Sequence, residues 1–135
     1  AYSQYNKKDS KKHWRGIGFW KEIDPKKHFA KIKVDQYIDT YVMTSAEYAK
    51  KFPKKKYQYI YIDGDHSYEG VKLDYKLFWP KLEKNGFMVF HDAVAKGYLD
   101  KGLFGAWKFW QELKNKNKII FPFPKESGLG ILQKD

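Results

Sequence analysis

The alternation of apolar and polar positions divides the chain into short blocks. Tyr57 to Ile62 is an apolar and aromatic run with the length and composition of a strand. It ends abruptly in acids, a glycine and a histidine, Asp63-Gly64-Asp65-His66. From Ser67 to Leu82 the residues Val71, Tyr75, Phe78, Trp79 and Leu82 recur at helical spacing, with Pro80 late in the segment as a kink. Asn85-Gly86 reads as a helix-ending signal. Phe87-Met88-Val89-Phe90 is then a fully apolar short strand that ends in His91-Asp92. Two strands that each drop carboxylates and an imidazole at their C-terminal ends are the kind of site open parallel sheets build.

The flanks extend the pattern. Residues 1–13 are polar, lysine-rich and without periodicity, and read as a flexible terminus. Trp14 to Ile23 is an aromatic loop or a short strand; its Gly16-Ile17-Gly18 resembles part of a nucleotide loop but lacks a preceding strand and a third glycine. Asp24-Pro25 starts a helix that should run to about Gln36. Tyr37 to Met43, rich in aromatic and β-branched residues, reads as a strand. Thr44 or Ser45 caps a helix with Glu47 in its first turn and Ala46, Ala49 and Phe52 inward. Leu103 to Leu113 predicts a helix with an aromatic face, and Ile119 to Phe123 with Gly128 to Leu132 predicts an antiparallel hairpin. The expected architecture is α/β: a Rossmann-like, mostly parallel sheet with covering helices and an antiparallel C-terminal hairpin. At 135 residues, one domain is the natural organisation.

Composition changes this picture little. The net charge of +11 invites a polyanionic partner. Of the 27 basic residues, however, only Arg15 is arginine, and base and phosphate readers favour the arginine fork. The lysine surface therefore argues against nucleic acid. The absence of cysteine excludes disulfides, thiolate metal sites and a cysteine nucleophile. No apolar run reaches membrane-spanning length and no signal peptide opens the chain, so a soluble cytoplasmic protein is the expectation.

The run Ile62-Asp63-Gly64-Asp65-His66-Ser67-Tyr68-Glu69-Gly70-Val71, with Asp74 and Trp79 in the next helix, Asn85-Gly86, and a strand ending His91-Asp92, resembles the class I S-adenosylmethionine-dependent methyltransferases. The nearest branch is the family containing the macrocin-type sugar O-methyltransferases (methyltransferase family 24). The resemblance spans about Tyr37 to Leu132. It implies that Tyr37 to Met43, Tyr57 to Ile62 and Phe87 to Phe90 are the third, fourth and fifth strands, with the hairpin sixth and seventh, in a sheet ordered 3-2-1-4-5-7-6. It further implies S-adenosylmethionine as cofactor and a small molecule or sugar as acceptor of an O-methyl group.

By this resemblance Thr44, Ser45 and Ala46 lie near the adenine, and Asp63 and Asp65 approach the cofactor. Asp63, His91 and Asp92 correspond to the divalent-metal positions of metal-dependent relatives. Carboxylates there suit magnesium, and the imidazole shifts the preference toward manganese, iron or zinc. The same acids can equally cap helix starts and loops. His66 falls where catechol-type relatives carry a catalytic lysine, and it and Asp63 are the candidate catalytic residues. The histidine is either the base for the acceptor hydroxyl or a ring that sets the loop.

The glycine-rich first strand and a convincing second strand are not found in this sequence, so the fold is expected to be incomplete at its N-terminus. An open edge on the fourth strand could belong to a fragment of a longer gene, be filled by Trp14 to Ile23, or pair two copies as a homo-oligomer. The alternative to an enzyme is a catalytically silent, truncated methyltransferase-like module acting in binding or assembly.

Overall fold

The computed structural model describes residues 25–94, 105–114, 117–123 and 128–135. The residues before Pro25, including the expected flexible terminus, Trp14 to Ile23 and the capping Asp24, lie outside these. The helices are α1 (Pro25–Lys31), α2 (Ser45–Lys51), α3 (Tyr68–Phe78) and α4 (Ala106–Glu112). The strands are β1 (Tyr57–Ile62), β2 (Leu82–His91), β3 (Lys118–Phe121) and β4 (Leu129–Gln133). They form one sheet in the order β1-β2-β4-β3, with β1 parallel to β2 and the other pairs antiparallel. This is the 4-5-7-6 half of the expected order, with the hairpin in place. Among the described residues no helix is long and apolar enough to cross a membrane.

The strand expected over Tyr37 to Met43 does not form. Asp35–Tyr37 is a 3-10 turn, and the chain from 38 to 44 is irregular. Its composition favours extended backbone, but a strand also needs a neighbour for its N–H and C=O groups. Tyr37 and Val42 are 81% and 73% exposed, and Tyr41 packs on the rings of Tyr48 and Phe52 of α2 and its C-cap, not on a neighbouring strand. The parallel part of the sheet among the described residues is therefore the single β1–β2 pair.

Two helices also end earlier than their apolar spacing suggests. In α1, Lys33 adopts a left-handed conformation (φ 56°), and the bonds from Lys33 N to Ala30 O and from Val34 N to Phe29 O close a Schellman motif. α3 stops at Phe78, and Pro80 sits in a 3-10 turn over Trp79–Lys81. Asn85-Gly86 then lies inside β2, not at a helix end. Asn85 has φ 62°, and the register moves from Tyr57↔Leu82 to Tyr59↔Phe87, so an irregularity in β2 absorbs the extra residues.

The register puts Ile60 and Ile62 of β1, Met88 and Phe90 of β2 and Leu132 of β4 on one face of the sheet. With Val71, Leu82, Ala106, Phe109 and Trp110 they form the core. Burying a side chain such as Met88 or Phe90 contributes about 2 kcal/mol. Phe90 meets Phe109 and Trp110 with ring centroids 6.3 and 5.6 Å apart, which fixes α4 over the strand that carries His91. The opposite face is only partly covered: Tyr59, Tyr61, Phe87, Ile119 and Phe121 remain exposed.

Part of the lysine excess has a structural use. Lys81 Nζ donates to Phe52 O and Pro53 O, each at 2.7 Å, and caps the C-terminal end of α2. Lys118 bridges Trp110 O and Leu113 O in the same way at α4, and Lys134 bridges Trp79 O and Leu82 O.

Candidate functional site

β1 and β2 end side by side, with Ile62 opposite Phe90, so Asp63 leaves one strand beside His91 and Asp92 at the end of the other. The loop after β1 is held by local bonds. Asp65 Oδ1 accepts from Ser67 N at 2.9 Å, and Ser67 Oγ accepts from Gly70 N at 3.1 Å, which caps α3. A Cβ on Gly70 would lie 2.5 Å from Asp65 Cγ, so this helix start can rest on the loop only as glycine. Gly105 N donates to His66 O at 2.8 Å, and a Cβ there would sit 2.2 Å from Tyr68 N. The entrance to α4 thus clamps the histidine loop from above.

At the centre lies a carboxylate–imidazole–carboxylate chain. His66 Nδ1 is bound by Asp92 Oδ2, and His66 Nε2 is 3.3 Å from Asp63 Oδ1. His91 Nδ1 is 3.1 Å from Asp92 Oδ1 and 3.4 Å from Asp63 Oδ1. That nitrogen is buried yet has no aligned hydrogen bond. Asp92 is 2% exposed and has φ 58°, an uncommon conformation for a non-glycine residue. The left-handed turn carries the carboxylate out of the strand line and under His66. Strain of this size, about 1–3 kcal/mol, persists where the surroundings fix it, which is common at sites.

The electrostatics follow from this packing. Burial works against a charge on His66, but its bonds to Asp63 and Asp92 outweigh that and raise its pKa to about 9. The hydrogen bond from His66 lowers the pKa of Asp63 against the cost of burial. The Asp92 carboxylate raises that of His91. At neutral pH His66 is an imidazolium held between two acids, and Asp92 shifts His91 toward its charged form.

Asp63, His66, His91 and Asp92 therefore meet at one place. Asp65 is adjacent, but its carboxylate is committed to Ser67 N. Thr44 caps α2 in a reciprocal box with Glu47, through Glu47 N to Thr44 Oγ1 at 3.2 Å and Thr44 N to Glu47 Oε2 at 2.7 Å. Ser45 bonds Asp74, and Ala46 is exposed. Asp74 carries no role in the sequence reading, yet it links these segments: it reaches from α3 to Ser45, and its Oδ2 lies 3.6 Å from where a Cβ of Gly64 would be. Burial raises its pKa, with the Asp65 charge adding to the rise. The available signal was an acid three residues after Val71, on the apolar stripe of its helix.

The sheet order, the parallel β1–β2 pair and the strand-end acids and imidazoles define a Rossmann-like α/β domain, whose ligand place is beyond the carboxyl ends of its parallel strands. The sequence pattern of the family described as "Methyltransferase domain" matches residues 5–93, more than half of the chain, and the chain belongs to that family, within the class I S-adenosylmethionine-dependent methyltransferases. The uncharacterized protein y4gI of Sinorhizobium fredii (strain NBRC 101917 / NGR234) is 36% identical over 73 residues, which is 54% of this chain and 8% of that protein. A crystal structure of a protein from Corynebacterium glutamicum shares the fold with a TM-score of 0.52, at 16% identity, over 80% of this chain and 55% of that one. The chain thus spans about half the length of the structural relative and a small part of y4gI.

Proposed function

We propose that this chain forms the acceptor side of a methyltransferase that moves the methyl group of S-adenosylmethionine to an oxygen of a small molecule or sugar. One observation carries the reading: the Asp92–His66–Asp63 chain, with His91 beside it, at the ends of neighbouring parallel strands. Methyl transfer to oxygen needs the acceptor hydroxyl to approach its alkoxide form. Positive charge fixed beside that oxygen, in a site screened from water, stabilises the developing anion. His66 supplies it from this chain, with His91 beside it, and Asp92 holds His66 in place. A divalent cation at these strand ends would supply Lewis-acid polarisation of the same hydroxyl. A pKa of about 9 keeps His66 protonated at neutral pH, so accepting the hydroxyl proton requires its neutral ring at higher pH.

Calorimetric titration with S-adenosylhomocysteine, with transfer of labelled methyl groups to a panel of catechols and sugars, tests the reading. Binding with product formation supports it. Absence of heat at millimolar ligand, with no labelled product, refutes it for this chain. A second reading, an assembly module without catalysis, is favoured by the exposed aromatic and apolar sheet face of Tyr59, Tyr61, Phe87, Ile119 and Phe121. It predicts a stable dimer in sedimentation together with no affinity for S-adenosylhomocysteine. A cofactor-binding monomer would sink it.

A further inference from the structure

We infer that Asp74 is a positioning residue: from α3 it fixes the first turn of α2 against the loop that carries Asp63 to His66, and so sets the span across which S-adenosylmethionine is expected to lie. The inference rests on the methyltransferase reading above for what is positioned. The joint itself is measured without any ligand, so the two can fail separately.

One stripe of α3 faces both segments. Residues four apart share a helix face, and Gly70, Asp74 and Phe78 are so spaced. Gly70 lets Asp65 rest on the helix, since a Cβ there would lie 2.5 Å from Asp65 Cγ. Asp74 Oδ2 comes 3.6 Å from where a Cβ of Gly64 would be, and the same carboxyl bonds Ser45. Phe78 packs on Tyr48, with ring centroids 6.2 Å apart. Ser45 and Tyr48 are three apart on α2, so the face that docks on Phe78 also brings Ser45 to Asp74. The loop after β1 and the start of α2 therefore meet on one side chain.

The two ends of α2 are held differently. Its far end is anchored by the rings of Tyr41, Tyr48 and Phe52, with centroids 5.3, 5.2 and 4.8 Å apart, and by Lys81 on the carbonyls of Phe52 and Pro53. The box between Thr44 and Glu47 closes the first turn only on itself. Among the described residues, the Ser45–Asp74 bond is the hydrogen bond that ties this turn to another element. The acid is an unfavourable choice for stability, because burial and the charge of Asp65 both act against its ionised form. A polar group kept at a cost to folding, at the joint of two segments of one site, marks a functional position. By the resemblance, Thr44, Ser45 and Ala46 lie near the adenine and Asp65 approaches the cofactor. Asp74 sets the spacing of these two segments and acts through them.

The test uses the full chain at pH 7 with three variants. Asp74→Ala removes the joint, Asp74→Asn keeps an acceptor for the Ser45 hydroxyl, and Ser45→Ala removes only the α2 side. Amide hydrogen exchange is followed without ligand at residues 44–48 and 63–65, with Met88 and Val89 as the reference for the whole fold. Asp74→Ala should speed exchange in both segments by about 3–10-fold beyond any change at the reference amides, the equivalent of one lost hydrogen bond. Asp74→Asn should leave both within about twofold of the unaltered chain, and Ser45→Ala should loosen 44–48 alone. In calorimetric titration, S-adenosylhomocysteine should bind Asp74→Ala about 3–10-fold more weakly and Asp74→Asn nearly as tightly as the unaltered chain. Faster exchange in one segment only, an Asp74→Asn variant that fails as Asp74→Ala does, or a folded Asp74→Ala that binds S-adenosylhomocysteine with full affinity would overturn the assignment. An unaltered chain that binds no S-adenosylhomocysteine sinks the methyltransferase reading and the cofactor role of Asp74 with it, and the exchange comparison then decides the joint alone.

Discussion

Replacing Asp92 by Asn perturbs the site at its most buried point. Asp92 is 2% exposed and binds His66 Nδ1. In the folded chain the pKa of His66 is raised from 6.5 to about 9. Its stabilising contribution is therefore whole below the unfolded value of 6.5 and is lost as the pH rises through about 9. The full shift is equivalent to ~3 kcal/mol, an upper figure because the ring shares its charge with two acids. Asparagine keeps the shape and tolerates the left-handed backbone, but removes the charge. Burial, which acts to lower the pKa, is then opposed by Asp63 without Asp92. The His66 pKa should fall well below 9. The variant should lose up to ~3 kcal/mol near pH 6 but only about 1 kcal/mol near pH 9.5, where the ring is neutral and only a hydrogen bond is missing. Urea unfolding at both pH values and NMR titration of the imidazole signals, with chelator present, measure the two effects. A His66 that titrates near 6.5 in the unaltered chain, or a destabilisation independent of pH, would refute the reasoning.

Further expectations rest on other parts of the fold. Lys81→Met frees the carbonyls of Phe52 and Pro53 and should cost about 1–3 kcal/mol in urea unfolding. Gly105→Ala would force a Cβ to within 2.2 Å of Tyr68 N and should lower the melting temperature and the His66 pKa together, since the same residue holds His66 O. Asp74→Asn should be neutral or stabilising at pH 7, because burial raises this carboxyl's pKa and makes its charged form a cost to folding; an unfolding curve with a lower midpoint would contradict this. Ile119→Lys, on the exposed edge strand, should reduce self-association seen by light scattering.

Much of the fold was legible because local pattern and tertiary role coincide. β1 and the closing hairpin are apolar runs bounded by turn residues, and α3 has a clean stripe. Where they diverge, the sequence misleads. Tyr37 to Met43 has a strand's composition, but composition cannot supply the neighbouring strand that a ladder requires. Asn85-Gly86 carries the chemistry of a helix end, yet Pro80 had already stopped the helix and the pair bends a strand. At the strand ends, the sequence picks out the side chains that meet but not how they are joined. His66 and Asp92 are 26 positions apart, and only the register of β1 on β2 and the left-handed turn at Asp92 bring them together.

That division bears on what the domain can do by itself. Asp63 and His66 come from the end of β1, His91 and Asp92 from the end of β2, and the clamp from the start of α4. Among the described residues, the contacts that join these four side chains come from the parallel pair and its own loops. The cluster thus rests on a scaffold buried around Met88 and Phe90. The start of α2, the proposed cofactor side, is tied to it through Asp74, which joins Ser45 to the Gly64 turn. Loss of cofactor affinity therefore need not disturb the His66 titration. A variant such as Ser45→Ala should separate the two, weakening S-adenosylhomocysteine binding while leaving the imidazole signals in place. If both moved together, α2 and the strand-end cluster would be one cooperative unit, and the strand ends alone would not define the site.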